Sequence, residues 1–197
     1  MFVVKDKEED DFFASLADLP DRVVGILATT VIDDRLTEAI QAHWHDTKLQ
    51  GGERLFDRLF NYSGALGSFG TRIEIGFAMG LYSDELMREM HTIRKIRNAF
   101  AHKLSPKDFN AQTIIDLTKN LKTPDKFPIT AENFISYKAS PQNPPTLLGM
   151  MQAFLTHSHV TDTAGSRSRF IRATEIVSGF LFAISADLNL VKRQPPI

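Results

Sequence analysis

Apolar residues recur along the chain at intervals of three and four positions, and the strict alternation that marks a β-strand is scarce. This periodicity predicts amphipathic helices separated by segments rich in glycine, proline and small polar residues. The predicted helical segments are 11–18, 20–43, 53–60, 69–79, 83–102, 111–121, 146–156 and 165–190, with one or two further helical turns over 130–137. The pattern therefore predicts an all-α fold, a single-domain bundle of about seven or eight helices.

Local signals indicate where several helices begin and end. Pro20 suits the first turn of the second helix, Gly80 is expected to end the fourth, and Ser83 suits the N-cap of the fifth. The second helix is expected to bury one stripe, made of Val23, Ile26, Leu27, Thr30, Val31, Leu36 and Ile40. The segment 165–190 is apolar on more than one side, which leaves open a central core helix or the seam of a homodimer.

Length and composition fit one domain. At 197 residues, with 43% hydrophobic and 24% charged residues, the chain can organise one hydrophobic core, and two full domains would be cramped. We predict one helical domain over 1–197, with flexible tails at 1–10 and 191–197. The 15 phenylalanines, against one tryptophan and three tyrosines, indicate an aromatic core rather than a tyrosine-rich recognition surface.

Several functional classes are excluded or disfavoured by composition. The absence of cysteine excludes a disulfide, a cysteine-ligated zinc ion, a thiol nucleophile and an iron–sulfur cluster. The acidic first residues lack the apolar stretch of a signal peptide, and no apolar run approaches the ~20 residues that span a bilayer. A cytoplasmic location without membrane contact is therefore expected. The net charge of −1 argues against direct DNA binding, because proteins that contact many phosphates carry a basic excess.

The helix over 83–102 carries the clearest candidate chemistry. At 100° per residue its apolar stripe consists of Leu86, Met90, Ile93, Phe100 and Leu104. Arg97 falls within that stripe, so its guanidinium must reach solvent or find a carboxylate and carbonyl partners. Asn98 and His102 lie one turn apart on a neighbouring face, which also carries His91 and either Arg94 or Lys95. Because Arg97 and His102 point about 140° apart, only a distorted last turn or a second copy would bring both onto one substrate.

Three segments of this region form a recognisable pattern. They are Ser68-Phe69-Gly70-Thr71-Arg72-Ile73, Gly80-Leu81 and Ile93-Arg94-Lys95-Ile96-Arg97-Asn98-Ala99-Phe100-Ala101-His102. The pattern, which extends over 55–110, resembles the mannitol operon repressor family. The resemblance implies an all-helical protein assigned to transcriptional regulation that lacks a recognisable DNA-binding motif. Together with the near-neutral charge, it indicates a regulator that acts through a protein partner or a small anionic effector.

The same helix end also resembles the HEPN superfamily, whose signature is an arginine, four to six further residues and then a histidine. Arg97 and His102 have four residues between them, and Arg97-Asn98 matches the frequent opening of that signature. In HEPN ribonucleases, two helices of a dimer combine arginine and histidine to cut RNA without a metal. The resemblance therefore implies a second hypothesis, a metal-independent ribonuclease with Arg97, Asn98 and His102 as catalytic residues in a composite homodimer site.

The polar side chains at this helix end also have a structural interpretation. Arg97, Asn98 and His102 could satisfy one another and nearby loop carbonyls, with Asn98 bound to backbone groups of the connector 62–68. If they instead bind a ligand or partner, the predicted site consists of Arg72, Arg94, Arg97, Asn98 and His102.

Arg72 has two interpretations of its own. It could form an interior ion pair, with Glu74, Asp108 or a carboxylate of the segment 31–34 as its partner. Alternatively, Arg72 and Arg97 could bind an anion together, because guanidinium groups match the geometry of carboxylate and phosphate. The ion pair is the interpretation we favour.

No metal ion or cofactor is predicted. The paired histidines are two positions apart, so in a helix their imidazoles face different directions. These pairs are His43 with His45 and His157 with His159. Three arginines open the last helix at its positive end, where like charge is unfavourable, and this indicates an anion or a partner there. They are Arg167, Arg169 and Arg172.

Overall fold

The computed structural model describes residues 7–44, 54–102, 106, 108–127 and 162–191. Within these ranges the chain forms eight α-helices and no β-strand, which confirms the predicted all-α fold. The helices are α1 (Lys7–Ser15), α2 (Asp21–His43), α3 (Leu55–Phe60), α4 (Phe69–Ala78), α5 (Asp84–His102), α6 (Gln112–Thr118), α7 (Thr123–Lys126) and α8 (Ser166–Val191). The predicted helices over 130–137 and 146–156 lie outside the described residues. No helix in the described ranges has both the length and the apolar character that crossing a bilayer requires.

The two longest helices, α2 and α8, pack along each other and form the centre of the bundle. α5 packs against both of them and against α4 and α6. Every residue of 170–179 in α8 is buried within the single chain, as the core-helix interpretation requires. Phe170 and Ile176 are fully buried among them, and the hydroxyl of Thr174 donates to the backbone oxygen of Ile171 at 2.7 Å.

The buried face of α2 differs from the predicted stripe. It consists of Val24, Gly25, Ala28, Thr29, Ile32, Leu36, Ala39 and Ile40. Leu27 and Thr30, both predicted to be buried, are exposed. The buried face is the one that carries small residues such as Gly25 and Ala28, because these residues let neighbouring helices approach α2 closely. A Cβ atom on Gly25 would lie 2.3 Å from a ring carbon of Phe100, so only glycine lets α5 pack this closely against α2.

The amino-terminal tail predicted over 1–10 is helical from Lys7 onward. The helix begins earlier than predicted because Glu9 is buried, with only 7% of its surface exposed, and is bonded to other helices. Its carboxylate accepts a hydrogen bond from Nε of Arg35 at 2.7 Å and another from the hydroxyl of Ser178. α1 is therefore anchored to both α2 and α8 by one buried carboxylate, a long-range partnership that periodicity does not reveal.

The predicted ends of the two helices that carry the candidate site agree with the structure. Ser68 precedes α4, and its hydroxyl oxygen accepts the amide hydrogen of Thr71 at 3.1 Å. Gly80 follows α4 with a φ of 73°, a left-handed conformation that favours glycine. Ser83 precedes α5, as its N-cap prediction required. These ends fix where α4 turns back to pack against α5.

Candidate functional site

The predicted site lies on the second half of α5, which is helical through His102. The predicted apolar stripe is buried at Leu86, Met90, Ile93 and Phe100, whereas Leu104 lies outside the described residues. Arg97 is half-buried at the margin of that stripe rather than within it. Because α5 continues as an α-helix to its last residue, the separation of about 140° between the directions of Arg97 and His102 applies.

Arg97 and Asn98 bind each other. Nη1 of Arg97 donates to Oδ1 of Asn98 at 3.0 Å. Asn98 makes no hydrogen bond to the connector over 62–68, so the predicted backbone contact is wrong. The connector satisfies its own polar groups instead, since the amide of Leu66 donates to the backbone oxygen of Leu59 at 2.8 Å. Arg97 has no carboxylate partner within the described ranges.

Arg94 is a half-buried cation without a carboxylate partner in the described ranges. Its half-buried guanidinium lies against Gly70, where a Cβ atom would come within 3.3 Å of Cζ of Arg94. Nε of Arg94 is buried and has no hydrogen-bond partner, and no described carboxylate pairs with the side chain. Gly70 is the second residue of α4, so a cation lies at the positive end of a helix, an unfavourable arrangement that a bound anion would relieve.

The remaining side chains of this surface differ in exposure. His102 is exposed at the end of α5, and Lys95 is exposed about two turns earlier. His91 is half-buried, and its Nε2 lies 2.9 Å from a carboxylate oxygen of Glu74 on α4. We call Arg94, Arg97, Asn98 and His102 the basic end of α5. Glu74 and His91 lie on the side of this surface toward the middle of α5.

Arg72 is used in an ion pair and does not join the basic end of α5. Its Nε and Nη2 donate to the two carboxylate oxygens of Asp33 at 2.8 and 2.6 Å. Its Nη1 donates to the backbone oxygen of Leu66 at 3.0 Å. Each nitrogen of the guanidinium is therefore engaged, and Asp33 is one of the partners that the sequence offered. The structure thus shows the favoured interpretation, and anion binding by Arg72 would have to displace Asp33.

The arginines that open α8 were predicted to indicate an anion or an external partner, but Arg167 binds groups within the chain. It pairs with the carboxylate of Asp21 at the start of α2. It also donates to three backbone oxygens at the end of α1 and the turn that follows. They are those of Leu16, Ala17 and Leu19. Arg167 therefore connects the start of α8 to the start of α2 and to the backbone of the turn that follows α1.

Arg169 and Arg172 make equivalent contacts farther along α8. Arg169 pairs with Asp125, and this hydrogen bond holds the pKa of the Asp125 carboxyl below its ordinary value. Burial lowers the pKa of Arg172, although Glu175, 3.4 Å away, acts in the opposite direction. The positive charges at the start of α8 do require partners, as their placement in the sequence indicates. The partners are intramolecular: Asp21, Asp125 and the backbone carbonyls come from elements far away in the sequence, and Glu175 lies one turn along α8 itself.

The described residues contain no group of three histidine or acidic side chains that could hold a metal ion. Nδ1 of His43 contacts the backbone oxygen of Ala39 at 2.9 Å, within its own helix. His45, His157 and His159 lie outside the described residues.

Comparison with known proteins assigns neither a family nor a function to this chain. No family model matches the chain, and neither a curated protein nor a solved structure matches it.

Proposed function

We propose that this chain is a cytoplasmic transcriptional regulator of the mannitol operon repressor type. It would act through a protein partner or a small anionic effector bound at the basic end of α5, rather than by contacting DNA itself. The resemblance of 68–73, 80–81 and 93–102 to that family supports the regulatory role. The geometry around Arg94 supports the anionic chemistry.

The observation that carries this proposal is the contrast between two groups of arginines. Arg35, Arg72 and Arg169 each meet a carboxylate within the chain. Arg94 and Arg97 meet none in the described ranges, and Nε of Arg94 is both buried and unbonded. An unsatisfied buried donor costs about 1–3 kcal/mol, so an anion or an acidic side chain of a partner would stabilise this end of α5.

Isothermal titration with inorganic phosphate tests the anionic chemistry. We expect saturable binding that weakens by about tenfold or more in Arg94→Gln, because a charge-assisted hydrogen bond is lost. Arg88→Gln is the matched control on the same helix, because its guanidinium is 76% exposed and already pairs with Asp84. Equal affinities in the wild type and Arg94→Gln, or no binding of phosphate and of acidic peptides alike, would contradict the proposal.

The absence of direct DNA binding is a separate part of the proposal. The net charge of −1 and the single basic end of α5 offer few contacts for phosphates of a duplex. Binding to duplex DNA should therefore be weak and should show a shallow dependence on salt concentration. Tight binding to a specific duplex with a steep salt dependence would contradict this part.

A metal-independent ribonuclease of the HEPN type is the second candidate. It is favoured by the exposure of His102 beside the Arg97–Asn98 pair. Because Arg97 and His102 point in different directions from one regular helix, this function requires two copies of α5 facing each other. RNA cleavage in the presence of EDTA that disappears in His102→Ala, with the fold retained, would favour it. A dimer that holds the two α5 ends far apart would exclude it.

A further inference from the structure

A cavity of about 700 Å³ opens beside the first half of α5, in the direction away from His102. Its walls come from α5, from the segment 120–127 and from the second half of α8. The apolar side chains that line it are Leu81, Tyr82, Leu86, Phe127, Phe180 and Ile184. Sites for small ligands typically have volumes of about 300–1,000 Å³ and predominantly apolar walls. The cavity therefore has the size and the lining of a ligand site.

The wall formed by 120–127 is held in place by buried polar contacts. Glu89, only 4% exposed, accepts the amide hydrogens of Lys122 at 2.9 Å and of Thr123 at 3.0 Å. Arg172, only 1% exposed, donates to the backbone oxygen of Phe127 at 3.3 Å. The cavity is consequently built before a ligand arrives, which lowers the entropy lost on binding.

Hydroxyl groups along the inner wall already donate hydrogen bonds within the chain. Tyr82 donates to the backbone oxygen of Ile73 at 2.7 Å, and Thr123 donates to Glu89 at 2.6 Å. Thr92 donates to the backbone oxygen of Arg88 at 2.9 Å. A polar ligand group placed here would lose its contacts with water without finding free donors. The inner part of the cavity therefore suits an apolar group.

The charged side chains around the cavity are unequally paired. Lys126 pairs with Glu85 at 2.6 Å, and Arg88 pairs with an aspartate on its own helix at 2.8 Å. Lys122 forms no ion pair within the part of the chain that the structure describes. Its ammonium group donates only to the backbone oxygen of Lys119, at 3.3 Å. Lys122 therefore places a positive charge without a direct ion pair in the described ranges beside the apolar cavity, and the nearest charge it is shown to act on is the carboxyl of Asp125, whose pKa it lowers.

We infer that this cavity binds a small amphiphilic carboxylate. The apolar body of the ligand packs between the Phe127–Phe180 ring pair, whose centroids are 5.4 Å apart, and the side chain of Leu86. The carboxylate remains near solvent and pairs with Lys122. A neutral molecule of the same shape gains only the apolar contact, and a cationic one is repelled by Lys122. This site is separate from the basic end of α5 and does not depend on the function proposed for it.

Calorimetric titration of the full chain with decanoate, decanol and decyltrimethylammonium tests the inference, because the three share an apolar tail. We expect saturable binding of decanoate, weaker binding of decanol and the weakest binding of the cation. Displacement of the fluorescent apolar anion 8-anilinonaphthalene-1-sulfonate by decanoate provides a second readout. Absence of saturable decanoate binding, or tighter binding of the cation, overturns the inference.

Lys122→Met tests the charge pairing without disturbing the core, because Lys122 is exposed. We expect decanoate affinity to fall about threefold, the effect of one exposed ion pair, and the affinity for decanol to stay unchanged. Lys119→Met is the matched control, because Lys119 is exposed nearby but does not line the cavity. An equal effect of both substitutions on decanoate binding contradicts the role of Lys122.

Ile184→Trp tests the location by placing an indole in the cavity. We expect decanoate and decanol to bind on the order of tenfold more weakly, because the added ring occupies their space. Leu27→Trp is the control, since Leu27 is 37% exposed on α2 and does not line the cavity. Circular dichroism verifies that each variant is folded. Undiminished binding in a folded Ile184→Trp protein overturns this location.

Discussion

One residue type, arginine, serves contrasting purposes in this fold. Arg72 binds both oxygens of Asp33 and a backbone carbonyl, so it contributes to holding α2 and α4 together. Arg94 and Arg97 lack such carboxylates in the described ranges. Burial alone does not distinguish these side chains, because all three are half-buried. Their hydrogen-bond partners distinguish them. Arg72 has a carboxylate partner and stabilises the fold, whereas Arg94 and Arg97 have none in the described ranges and are available to a ligand.

Replacing Arg72 by alanine should lower the free energy of unfolding by about 2 kcal/mol, because Asp33 and the Leu66 carbonyl lose a charged donor. Arg88→Ala is the control, because its exposed pair with Asp84 joins neighbouring turns of one helix. That substitution should cost less than about 0.5 kcal/mol. Urea unfolding followed by circular dichroism measures both values. Equal losses would show that the Arg72 pair contributes no more than a surface pair.

Tyr82 gives the protein a specific sensitivity to alkaline pH. Burial and the nearby carboxylate of Glu74 raise the pKa of Tyr82 above its ordinary value. An unfolded tyrosine loses its proton near pH 10, whereas the folded Tyr82 keeps it to higher pH. Above about pH 10, deprotonation therefore shifts the folding equilibrium toward the unfolded state. The stabilisation from the neutral phenol is therefore fully present below the unfolded pKa and is lost as the pH rises.

We expect the unfolding free energy of the wild type to fall more steeply between about pH 9.5 and 11 than that of Tyr82→Phe. Urea titrations at several pH values measure the two slopes. Tyr62→Phe should behave like the wild type, because Tyr62 is 100% exposed. Identical slopes for the wild type and Tyr82→Phe would mean that Tyr82 does not carry the effect.

At the scale of elements, short helices depend on side chains supplied by longer ones. The predicted helix over 111–121 corresponds to α6, which ends at Thr118, and α7 forms at Thr123–Lys126, where no helix is predicted. Glu89 of α5 accepts the backbone amides at the start of α7, and Arg169 of α8 donates to the backbone oxygens of Thr118 and Leu121. These contacts satisfy backbone groups that two helix ends leave free, so they support the break between α6 and α7.

Glu89→Gln should destabilise the protein by about 1–3 kcal/mol, because an amide group replaces one acceptor that faces backbone N–H donors. Hydrogen exchange at the amides of Lys122 and Thr123 should accelerate in this variant. Glu85→Gln is the matched control on the same helix, because its side chain is 75% exposed and pairs only with Lys126. Unchanged exchange at both amides in Glu89→Gln would contradict the capping role.

At the scale of the whole molecule, α8 connects most of the described helices. It packs along α2, and its polar side chains contact residues of α1, α2 and α7. Ser178 donates to Glu9 of α1, Arg167 pairs with Asp21, and Arg169 pairs with Asp125. Because every residue of 170–179 is buried, separating α8 from the bundle would expose core side chains and break these polar contacts. The described helices should therefore unfold together.

Urea unfolding can test this cooperativity with two probes. Trp44 is the only tryptophan and lies 6.0 Å, between ring centroids, from both Phe56 and Phe60 of α3. We expect its fluorescence and the far-ultraviolet circular dichroism to change at the same urea concentration. Trp44→Phe identifies the fluorescence signal. A fluorescence midpoint well below the dichroism midpoint would show that α3 and its surroundings unfold separately.

The sequence by itself determined the all-α class, the approximate helix positions and several helix ends. These features are local, because apolar spacing, a serine before α5 and a glycine after α4 act within a few neighbouring residues. The sequence also indicated that Arg97 and His102 point apart, since that follows from helix geometry alone. Its resemblances to regulators and ribonucleases stay predictions.

Only the tertiary structure decided which sides of the helices meet and which charges are paired. Gly25 lies inward and Leu27 outward because a neighbouring ring approaches α2 closely, and periodicity cannot anticipate that approach. Arg72 meets Asp33 across 39 positions of sequence, and Arg167 meets Asp21 across 146. Such partners are chosen by the packing of whole helices. The same packing gives Arg94 no carboxylate partner within the described ranges, so the candidate site emerges from the fold and not from its motif alone.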